Sequence, residues 1–414
     1  MERTTCLVVG GGPAGMVLGL LLARAGINVT VLEKHGDFLR DFRGDTVHPS
    51  TVRLIDELGL GPEFRELPQS RLDKIRLPDP AGGTVTLGDL TRLPGPYNYV
   101  AMVPQWDFLN LMARAAEQEP SFTLRMHTEA TGLILEAGTV AGVRYRTRDG
   151  EEGEIRADLT VACDGRQSTL RADAGLRPKD FPVPFDTWWC RVPRPEGDDT
   201  ETSGIAARIK DHRFMLTINR GDYFQIAYFQ RKGTDAELRA EGVAAFRNRL
   251  ANLMPELANE VQTIKEMDDV KMLDVRLDRL HRWHTDGLLL IGDAAHAMSP
   301  IGGVGINLAV QDAVATATLL AKPLLRRQVR PADLAKVRSR RWPAMVLVQG
   351  LQRILHRAVI GPVLRGERET FPKGPASLLR RFPRLRIVPA YLVGIGPRPE
   401  HAPEFARRAP QPAE

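Results

Sequence analysis

Apolar and polar positions follow two different periods in the first 33 residues of the chain. Thr5 to Val9 is a short apolar run, Pro13 to Ala25 repeats apolar residues at helical spacing, and Ile27 to Glu33 alternates. A helix repeats every 3.6 residues and a strand every two, so these periods distinguish the two structures. The pattern therefore predicts a βαβ unit at the N terminus.

The pattern then changes twice along the chain. Asp41 to Leu58 begins with turn residues and continues as a helix, and Gln105 to Glu117 has helical spacing. From about Phe181 to Arg282, aromatic residues stand in short runs separated by Gly, Asp and Asn, which predicts an inserted antiparallel sheet. A strand at Gly287 to Ile291 and a helix from Gly305 to about Leu320 return to the first pattern.

The C-terminal part of the chain is strongly basic. The 414 residues are 43% hydrophobic and 26% charged, which is ordinary for a globular protein. From Ala321 to Glu414, however, 20 Lys and Arg stand against 6 Asp and Glu, a local net charge of +14 within a total of +6. Without an aromatic stacking motif this favours a solvated helical face and no nucleic-acid partner, and it leaves open peripheral contact with an anionic membrane. The final residues are rich in Pro and Arg, which predicts a loosely packed tail.

The number and spacing of the cysteines indicate the redox compartment of the protein and whether a metal site is expected. Cys6, Cys163 and Cys190 are too few and too scattered for a disulfide framework, which indicates a reducing, cytoplasmic location. No Cys-x-x-Cys pair occurs and His281 and His284 have no partner at metal-ligand spacing, so no metal site is expected.

A glycine-rich turn follows the first predicted strand and opens the first predicted helix. In a G-x-G-x-x-G turn, backbone amides at the helix N terminus approach a pyrophosphate without obstruction by Cβ atoms. Glu33 closes the second strand, where a carboxylate can accept hydrogen bonds from ribose hydroxyls. A glycine turn beside a surface acid is the alternative. The predicted dinucleotide-binding residues are Gly10, Gly12, Pro13, Ala14, Gly15 and Glu33.

Two distant segments decide which dinucleotide is expected. Ala162 to Arg171 follows an apolar strand and places Asp164 on a turn that enters a helix; alone it would also suit a helix cap. Gly292 to Asn307 ends a strand at Asp293 and opens a helix with a glycine-rich turn. Asp293 suits ribityl hydroxyls and the helix amides suit the pyrimidine edge of a flavin, so FAD is favoured. A hydrolase triad is disfavoured because the chain lacks a nucleophile-elbow serine.

Together and in this order, the three segments resemble the class A FAD-dependent monooxygenases, the para-hydroxybenzoate hydroxylase and UbiH-like superfamily. The resemblance extends over roughly Thr4 to Leu320. It implies an α/β fold: a Rossmann-like FAD-binding domain (1–180 and 270–330), an inserted antiparallel-sheet substrate domain (181–269) and a helical C-terminal region (331–414). It also implies FAD as the cofactor, NADPH or NADH as a transient reductant, and pairing as a homodimer.

The resemblance also assigns individual residues to the cofactor. Arg43 lies in a stretch similar to the family's flavin loop, Gln105 matches a residue near the ribityl chain, and Ala130 lies on a strand that passes the adenosine. The segment matching Asp164 serves both FAD and NAD(P)H in the family. The full set of matching residues beyond the first turn is Lys34, Arg43, Thr46, Val47, Gln105, Ala130, Asp164, Asp293, Gly303, Val304, Gly305, Ile306 and Asn307.

The implied reaction is hydroxylation of a small aromatic or polyketide-like molecule by O2 through a flavin C4a-hydroperoxide, with no nucleophilic side chain. Pro300 and His48 are the candidate catalytic residues. Pro300 matches a position that touches substrate in the family. His48 is able to deprotonate a phenol because imidazole titrates near neutrality, with a structural hydrogen bond as its alternative. Candidates for the substrate-facing wall of the sheet, with plain core packing as the alternative, are Trp189, Tyr223, Gln225 and Tyr228.

Three other functions share parts of this pattern. FAD-dependent reductases of the geranylgeranyl-reductase type have the same motifs at both ends. Flavin halogenases share the fold, although residues 188–193 do not match their W-x-W-x-I-P stretch. A flavin-binding partner protein without turnover is the third alternative.

Overall fold

The computed structural model describes residues 2–39, 46–78, 84–195, 205–368 and 373–409. Within these ranges the strands β1 to β20 are, in chain order, Glu2–Val9, Val29–Leu32, Thr46–Val47, Ser70–Leu72, Lys74–Pro78, Thr84–Asp89, Val100–Met102, Phe122–Arg125, Thr128–Glu136, Thr139–Thr147, Glu152–Ala162, Lys179–Asp180, Phe185–Pro193, Ile205–Lys210, Arg213–Asn219, Tyr223–Arg231, Lys271–Leu273, Asp278–Arg279, His284–Thr285 and Leu288–Leu290. The helices α1 to α12 are Pro13–Arg24, Pro49–Glu57, Gly61–Glu66, Gln105–Glu117, Thr169–Asp173, Asp235–Ala240, Gly242–Leu253, Gly305–Leu325, Pro331–Leu355, Gly361–Leu364, Lys373–Arg381 and Ile387–Gly394.

A mixed sheet forms the centre of the α/β part of the chain. Its strand order is β19-β20-β11-β1-β2-β8, and β20, β11, β1, β2 and β8 run parallel. Strands β9 and β10 add an antiparallel meander to β11. Ten residues of α1 are buried, and this helix packs against α8, which explains why both sequences are apolar on most sides. The predicted βαβ unit and the α/β fold class are therefore confirmed.

An antiparallel sheet follows between Phe185 and Leu273, in the order β14-β15-β16-β13-β17. Successive residues of a strand point to opposite faces, so each face has its own partner. One face packs on α7 through a cluster that includes Trp188, Ile226 and Phe246. The opposite face forms a second cluster that includes Phe185 and Phe229, against which Ile301 packs. The second face therefore lies towards the turn that precedes α8.

The C-terminal tail is anchored to α1 and α2 by hydrogen bonds. Arg24 Nη1 donates a hydrogen bond to the Ala406 carbonyl over 2.9 Å, and the Ala402 N–H donates to Glu57 Oε2 over 2.7 Å. Glu400 and Ala406 are buried. The prediction of a loosely packed tail is wrong at Glu400, Ala402 and Ala406, because these residues are buried and polar groups on α1 and α2 pair with the tail backbone.

One helix among the described residues, α8, is long and apolar enough to span a membrane by length and composition. It packs against α1 and α9, and 72% of its apolar window is buried inside the protein. Its composition therefore reflects its position as a core helix.

Candidate functional site

Four loops meet along the carboxyl edge of the parallel sheet. Gly10 follows β1, Glu33 follows β2, Asp164 lies just beyond β11, and Gly292 lies just beyond β20. These strands are neighbours in the order β2-β1-β11-β20, so the loops form one continuous row. The carboxyl edge of a doubly wound sheet is where ligands bind in this architecture. All three sequence motifs therefore belong to one site.

The first loop leaves open space in front of α1. Gly10 has φ +106°, and a Cβ there would lie 2.4 Å from the Cys163 carbonyl oxygen. A Cβ on Gly15 would lie 1.9 Å from the Gly10 carbonyl oxygen, so close packing requires glycine at both positions. At Gly12, the N-cap of α1, a Cβ would meet no atom of the described residues within 4 Å. The free N–H groups of α1 face this opening, which suits a pyrophosphate.

Glu33 lies beside the glycine loop as predicted. The N–H groups of Gly11 and His35 each donate to one of its carboxylate oxygens over 3.0 Å, and the side chain is buried. Lys34 is exposed, and it lines a cavity of about 480 Å³ together with His127, Arg146 and other residues. Half-buried Ala130 lies on β9, which reaches the same region.

Asp164 carries a polar atom that the fold leaves without a partner. Its Oδ2 accepts a hydrogen bond from the Leu170 N–H over 3.2 Å, while its buried Oδ1 has no partner among the residues that the structure describes. Burial raises the pKa of this carboxyl group despite the hydrogen bonds that it accepts. A buried acceptor without a partner is costly unless a ligand supplies a donor. The row of loops thus fits a dinucleotide in its polar groups as well as its shape.

An ion pair joins the second and third motifs. Arg166 Nη2 lies 3.3 Å from Asp293 Oδ2, and Asp293 keeps 29% of its side chain exposed towards solvent. Arg171 Nη1 donates to the Ala294 carbonyl over 3.1 Å. Both arginines are visible in the sequence after Asp164, but only the fold shows that they hold the loop that carries Asp293.

The flavin-loop strand β3 is held to the start of α8. Thr46 Oγ1 donates to the Gly303 carbonyl over 2.9 Å, and the hydroxyls of Ser50 and Thr51 donate to Asn307 Oδ1 over 2.8 and 2.7 Å. Gly303 has φ +63°. These contacts bring the predicted residues of β3 and of the α8 N terminus together, namely Thr46, Val47, Gly303, Val304, Gly305, Ile306 and Asn307. Half-buried Gln105 begins α4, and Arg43 lies outside the described residues.

His48 also binds the α8 turn. Its Nε2–H donates to the Gly303 carbonyl over 3.0 Å, and burial lowers its pKa to about 4. The imidazole is therefore neutral near pH 7, with this nitrogen occupied as a donor. The contact favours the structural alternative for His48, and its catalytic role remains a prediction.

Pro300 stands in a turn that a second buried histidine supports. Neighbouring Ser299 Oγ lies 2.9 Å from His356 Nε2, and Gln352 Nε2 donates to the carbonyls of Ser299 and Ile301, each over 2.9 Å. His356 begins a π-helical turn at the end of α9, and burial lowers its pKa to about 4. The C-terminal helices thus position the predicted substrate-contacting turn, a role that sequence reasoning missed.

We expect these two histidines to make stability depend on pH. Each has a folded-state pKa of about 4, below the ~6.5 of the unfolded chain, so the unfolded chain binds more protons between these values. The free energy of unfolding is therefore greatest above pH ~6.5 and decreases towards pH 4. Each histidine contributes a decrease of up to ~1.4 kcal/mol per pH unit. His356→Gln should reduce this slope in urea unfolding of the apoprotein between pH 7 and 5. Equal slopes for His356→Gln and the parent protein would contradict the expectation.

A buried charge network lies behind the third motif. Asp312 Oδ2 accepts hydrogen bonds from His296 Nε2–H over 2.6 Å and from the Gly292 N–H over 3.2 Å, and Arg341 Nε donates to Oδ1 over 3.0 Å. Arg341 also pairs with Glu400 in the tail at 3.4 Å. Burial opposes ionisation of Asp312, but His296 and Arg341 outweigh it and hold the pKa below the usual range. The network anchors the turn that presents Asp293, and His296 is part of it.

The sheet face that points towards the site carries three of the four predicted wall residues. Trp189 pairs with Ala227 across the sheet. Its side chain packs against two hydrophobic clusters, the one on which Ile301 packs and the one that contains Met102. Tyr223 and Gln225 alternate with the residues that pack on α7, so they share the face of Trp189.

Tyr228 does not belong to this wall. Its ring stacks edge-on against Phe246 of α7, with the ring centres 5.6 Å apart, on the opposite face of the sheet. The prediction for Tyr228 is wrong because one step along a strand reverses the direction of the side chain.

Comparison with known proteins agrees with this geometry. The FAD binding domain family matches residues 3–345 of the chain. 6-Methylpretetramide 4-monooxygenase of Streptomyces rimosus is 37% identical over 393 residues, which cover 93% of this chain and 91% of the relative. Protoasukamycin 4-monooxygenase of Streptomyces nodosus subsp. asukaensis is 25% identical, with 90% and 92% coverage.

The fold also matches a solved structure. Anhydrotetracycline hydroxylase from Streptomyces rimosus superposes with a TM-score of 0.74 at 22% identity, over 95% of this chain and 76% of that one. The family match covers most of the chain, and the site has the groups that FAD requires. The chain therefore belongs to the FAD binding domain family and is a class A FAD-dependent monooxygenase.

Proposed function

We propose that this enzyme hydroxylates a polycyclic aromatic, polyketide-like small molecule, with NADPH or NADH as the reductant and O2 as the oxidant. The observation that supports this proposal is the apolar, aromatic face of the sheet. This face lies towards the Pro300 turn, where Trp189 would contact a bound ring. The names of the relatives support the substrate class, since the similar proteins act on 6-methylpretetramide and protoasukamycin.

Different residues of the chain would bind different parts of the cofactor. The α1 N terminus with Gly12 would receive the pyrophosphate, Glu33 the ribose and Asp293 the ribityl chain, while the amides at the start of α8 would face the flavin ring. When bound, FAD supplies electron transfer from the nicotinamide and the activation of oxygen. The protein orients the substrate ring and excludes water between the sheet face and the Pro300 turn.

The reductant would bind only transiently. The sequence has no second strand-embedded G-x-G-x-x-G, so no separate nicotinamide domain is expected. The experiment is anaerobic reduction of the purified flavoprotein by NADPH and by NADH, with and without phenol, quinolone and anthraquinone probes, followed by admission of O2. We expect faster reduction with an anthraquinone probe, and a product that is heavier by one oxygen atom.

Three outcomes would contradict the proposal. Flavin that neither nucleotide reduces, with or without a probe, would favour the non-catalytic alternative. Reduction followed by saturation of a probe double bond, without oxygen incorporation, would favour the reductase alternative. Halogenated product formed with added bromide or chloride would favour the halogenase alternative.

Adjacent tryptophans allow a matched test of the substrate wall. Trp189 Nε1 is buried and has no hydrogen-bond partner in the described part of the chain, whereas Trp188 Nε1 donates to Asp235 over 2.6 Å on the α7 face. We expect Trp189→Phe to keep the ring surface but lose a donor to a substrate oxygen. That loss is worth about 1 kcal/mol, or a roughly fivefold increase in KM.

Trp188→Phe is the control for this variant. It should lower the urea midpoint, because it removes the hydrogen bond that Trp188 Nε1 donates to Asp235, while KM stays close to that of the parent enzyme. An unchanged KM for Trp189→Phe, or an equal increase for both variants, would remove Trp189 from the substrate wall.

Two assignments about assembly and location stay as predictions. A homodimer would be measured by light scattering of the purified holoenzyme. The cytoplasmic location rests on Cys6, Cys163 and Cys190, which are free thiols in the structure.

A further inference from the structure

Residues 373–394, which form α11, α12 and the turn between them, combine positive charge with exposed apolar side chains. We call these residues the C-terminal patch. Between Glu369 and Glu400 the sequence has no Asp or Glu, and it has six basic residues: Lys373, Arg380, Arg381, Arg384, Arg386 and Arg398. An isolated basic segment of this density is drawn to anionic surfaces.

The patch also exposes apolar surface that the fold does not use. Ten large apolar side chains of the described chain are strongly exposed, and half of them lie in these 22 residues. Helix α12 carries no charged side chain, yet only Ala390 and Gly394 are buried in it. Single exposed apolar residues are common on protein surfaces, whereas a concentration of them marks an interaction site. The exposed residues are Leu378, Phe382, Leu385, Val388 and Tyr391.

The inner side of the patch is packed against the site. Ala390 belongs to a buried cluster with Leu90 and Met102, whose strand β7 pairs with the flavin-loop strand β3. Val393 packs against the cluster of Met298 and Val304, on either side of the Pro300 turn. The patch is therefore fixed to the protein on one side, and it exposes its five large apolar side chains together with Arg380, Arg381 and Arg384.

We propose that the C-terminal patch docks on the surface of an anionic lipid bilayer. The apolar side chains would enter the interface between headgroups and acyl chains, and the arginines would extend to the phosphates. A second copy of this chain is a poorer partner for the patch. A two-fold interface would place the basic patch, which contains no Asp or Glu, against the same patch of the other copy, and the like charges would repel. Docking brings the membrane close to the Pro300 turn, so an apolar polycyclic molecule dissolved in the bilayer has a short route to the site. The docking itself does not depend on the proposed reaction.

The test is co-sedimentation of the full-length holoenzyme with vesicles. Vesicles contain phosphatidylcholine alone, or with phosphatidylglycerol at about one lipid in three, at about 0.05 and 0.5 M salt. We expect binding to the anionic vesicles at low salt, weaker binding at high salt, and little binding to phosphatidylcholine alone.

A pair of matched double variants locates the contact. The test variant is R384Q/L385S in the patch, and the control is L325S/R326Q, which changes an exposed leucine and arginine at the end of α8. The patch variant should bind anionic vesicles at least tenfold more weakly, and the control should bind like the parent. Flavin content and circular dichroism verify that both variants are folded.

Three results would overturn the proposal. The first is no binding to anionic vesicles at low salt by the parent holoenzyme. The second is an equal loss of binding by both double variants, because the contact would then be general electrostatics. The third is a lower molar mass of R384Q/L385S in light scattering, because the patch would then be an interface between copies of this chain.

Discussion

Replacing Gly12 by alanine will leave the protein folded but weaken its binding of FAD. The position has φ −74°, which alanine adopts without strain, and its Cβ would project into open space in front of α1. That space is where the pyrophosphate would approach the amides. A Cβ there displaces the phosphates from hydrogen bonds to charged groups. We expect a loss of about 3 kcal/mol, on the order of 100-fold in Kd for FAD.

Titration of the apoprotein with FAD, followed by flavin fluorescence, measures this effect. The matched control is Gly350→Ala on α9, where a Cβ also meets no described atom within 4 Å and the backbone is helical. It should leave the FAD affinity unchanged and raise stability slightly, because alanine favours a helix over glycine. An unchanged Kd for FAD in Gly12→Ala would mean that the pyrophosphate does not lie in front of α1.

Replacing Asp312 by alanine will destabilise the protein severely. The change leaves Arg341 and His296 buried without their common acceptor, and it frees the Gly292 N–H. Removing one partner of a buried ion pair costs about 3–5 kcal/mol. Urea unfolding, followed by circular dichroism and by flavin release, should show this loss. Flavin release should come first, because the Gly292 turn leads directly to Asp293.

A second variant separates the charge effect from lost packing. Asp312→Asn with Arg341→Met removes both charges of this pair, and Glu400 keeps its ion pair with Arg340, so the double variant should cost less than Asp312→Ala alone. Glu367→Gln breaks the exposed Arg365–Glu367 pair and should change nothing measurable. If Asp312→Ala were as stable as the parent, the network would have no role in holding the turn.

Local patterns in the chain were enough to predict the elements that carry the site. Helix α4 has the predicted bounds, Gln105–Glu117, because the apolar spacing and the preceding proline are contained in the segment itself. The turn at Gly10 and Gly15 was equally predictable, since only glycine tolerates these close approaches of backbone atoms. The continuous row of loops, in contrast, follows from the strand order β2-β1-β11-β20, which the fold shows.

Long-range pairing decided the rest. The face of the sheet on which Tyr228 lies depends on the register of two strands, and a difference of one residue reverses it. The packing of the tail and the Asp312 network join residues such as Arg341 and Glu400, which are far apart in sequence and are ordinary surface types when read alone. Periodicity and glycine chemistry thus determine the elements and their loops, whereas burial and the pairing of distant polar groups are properties of the folded chain alone.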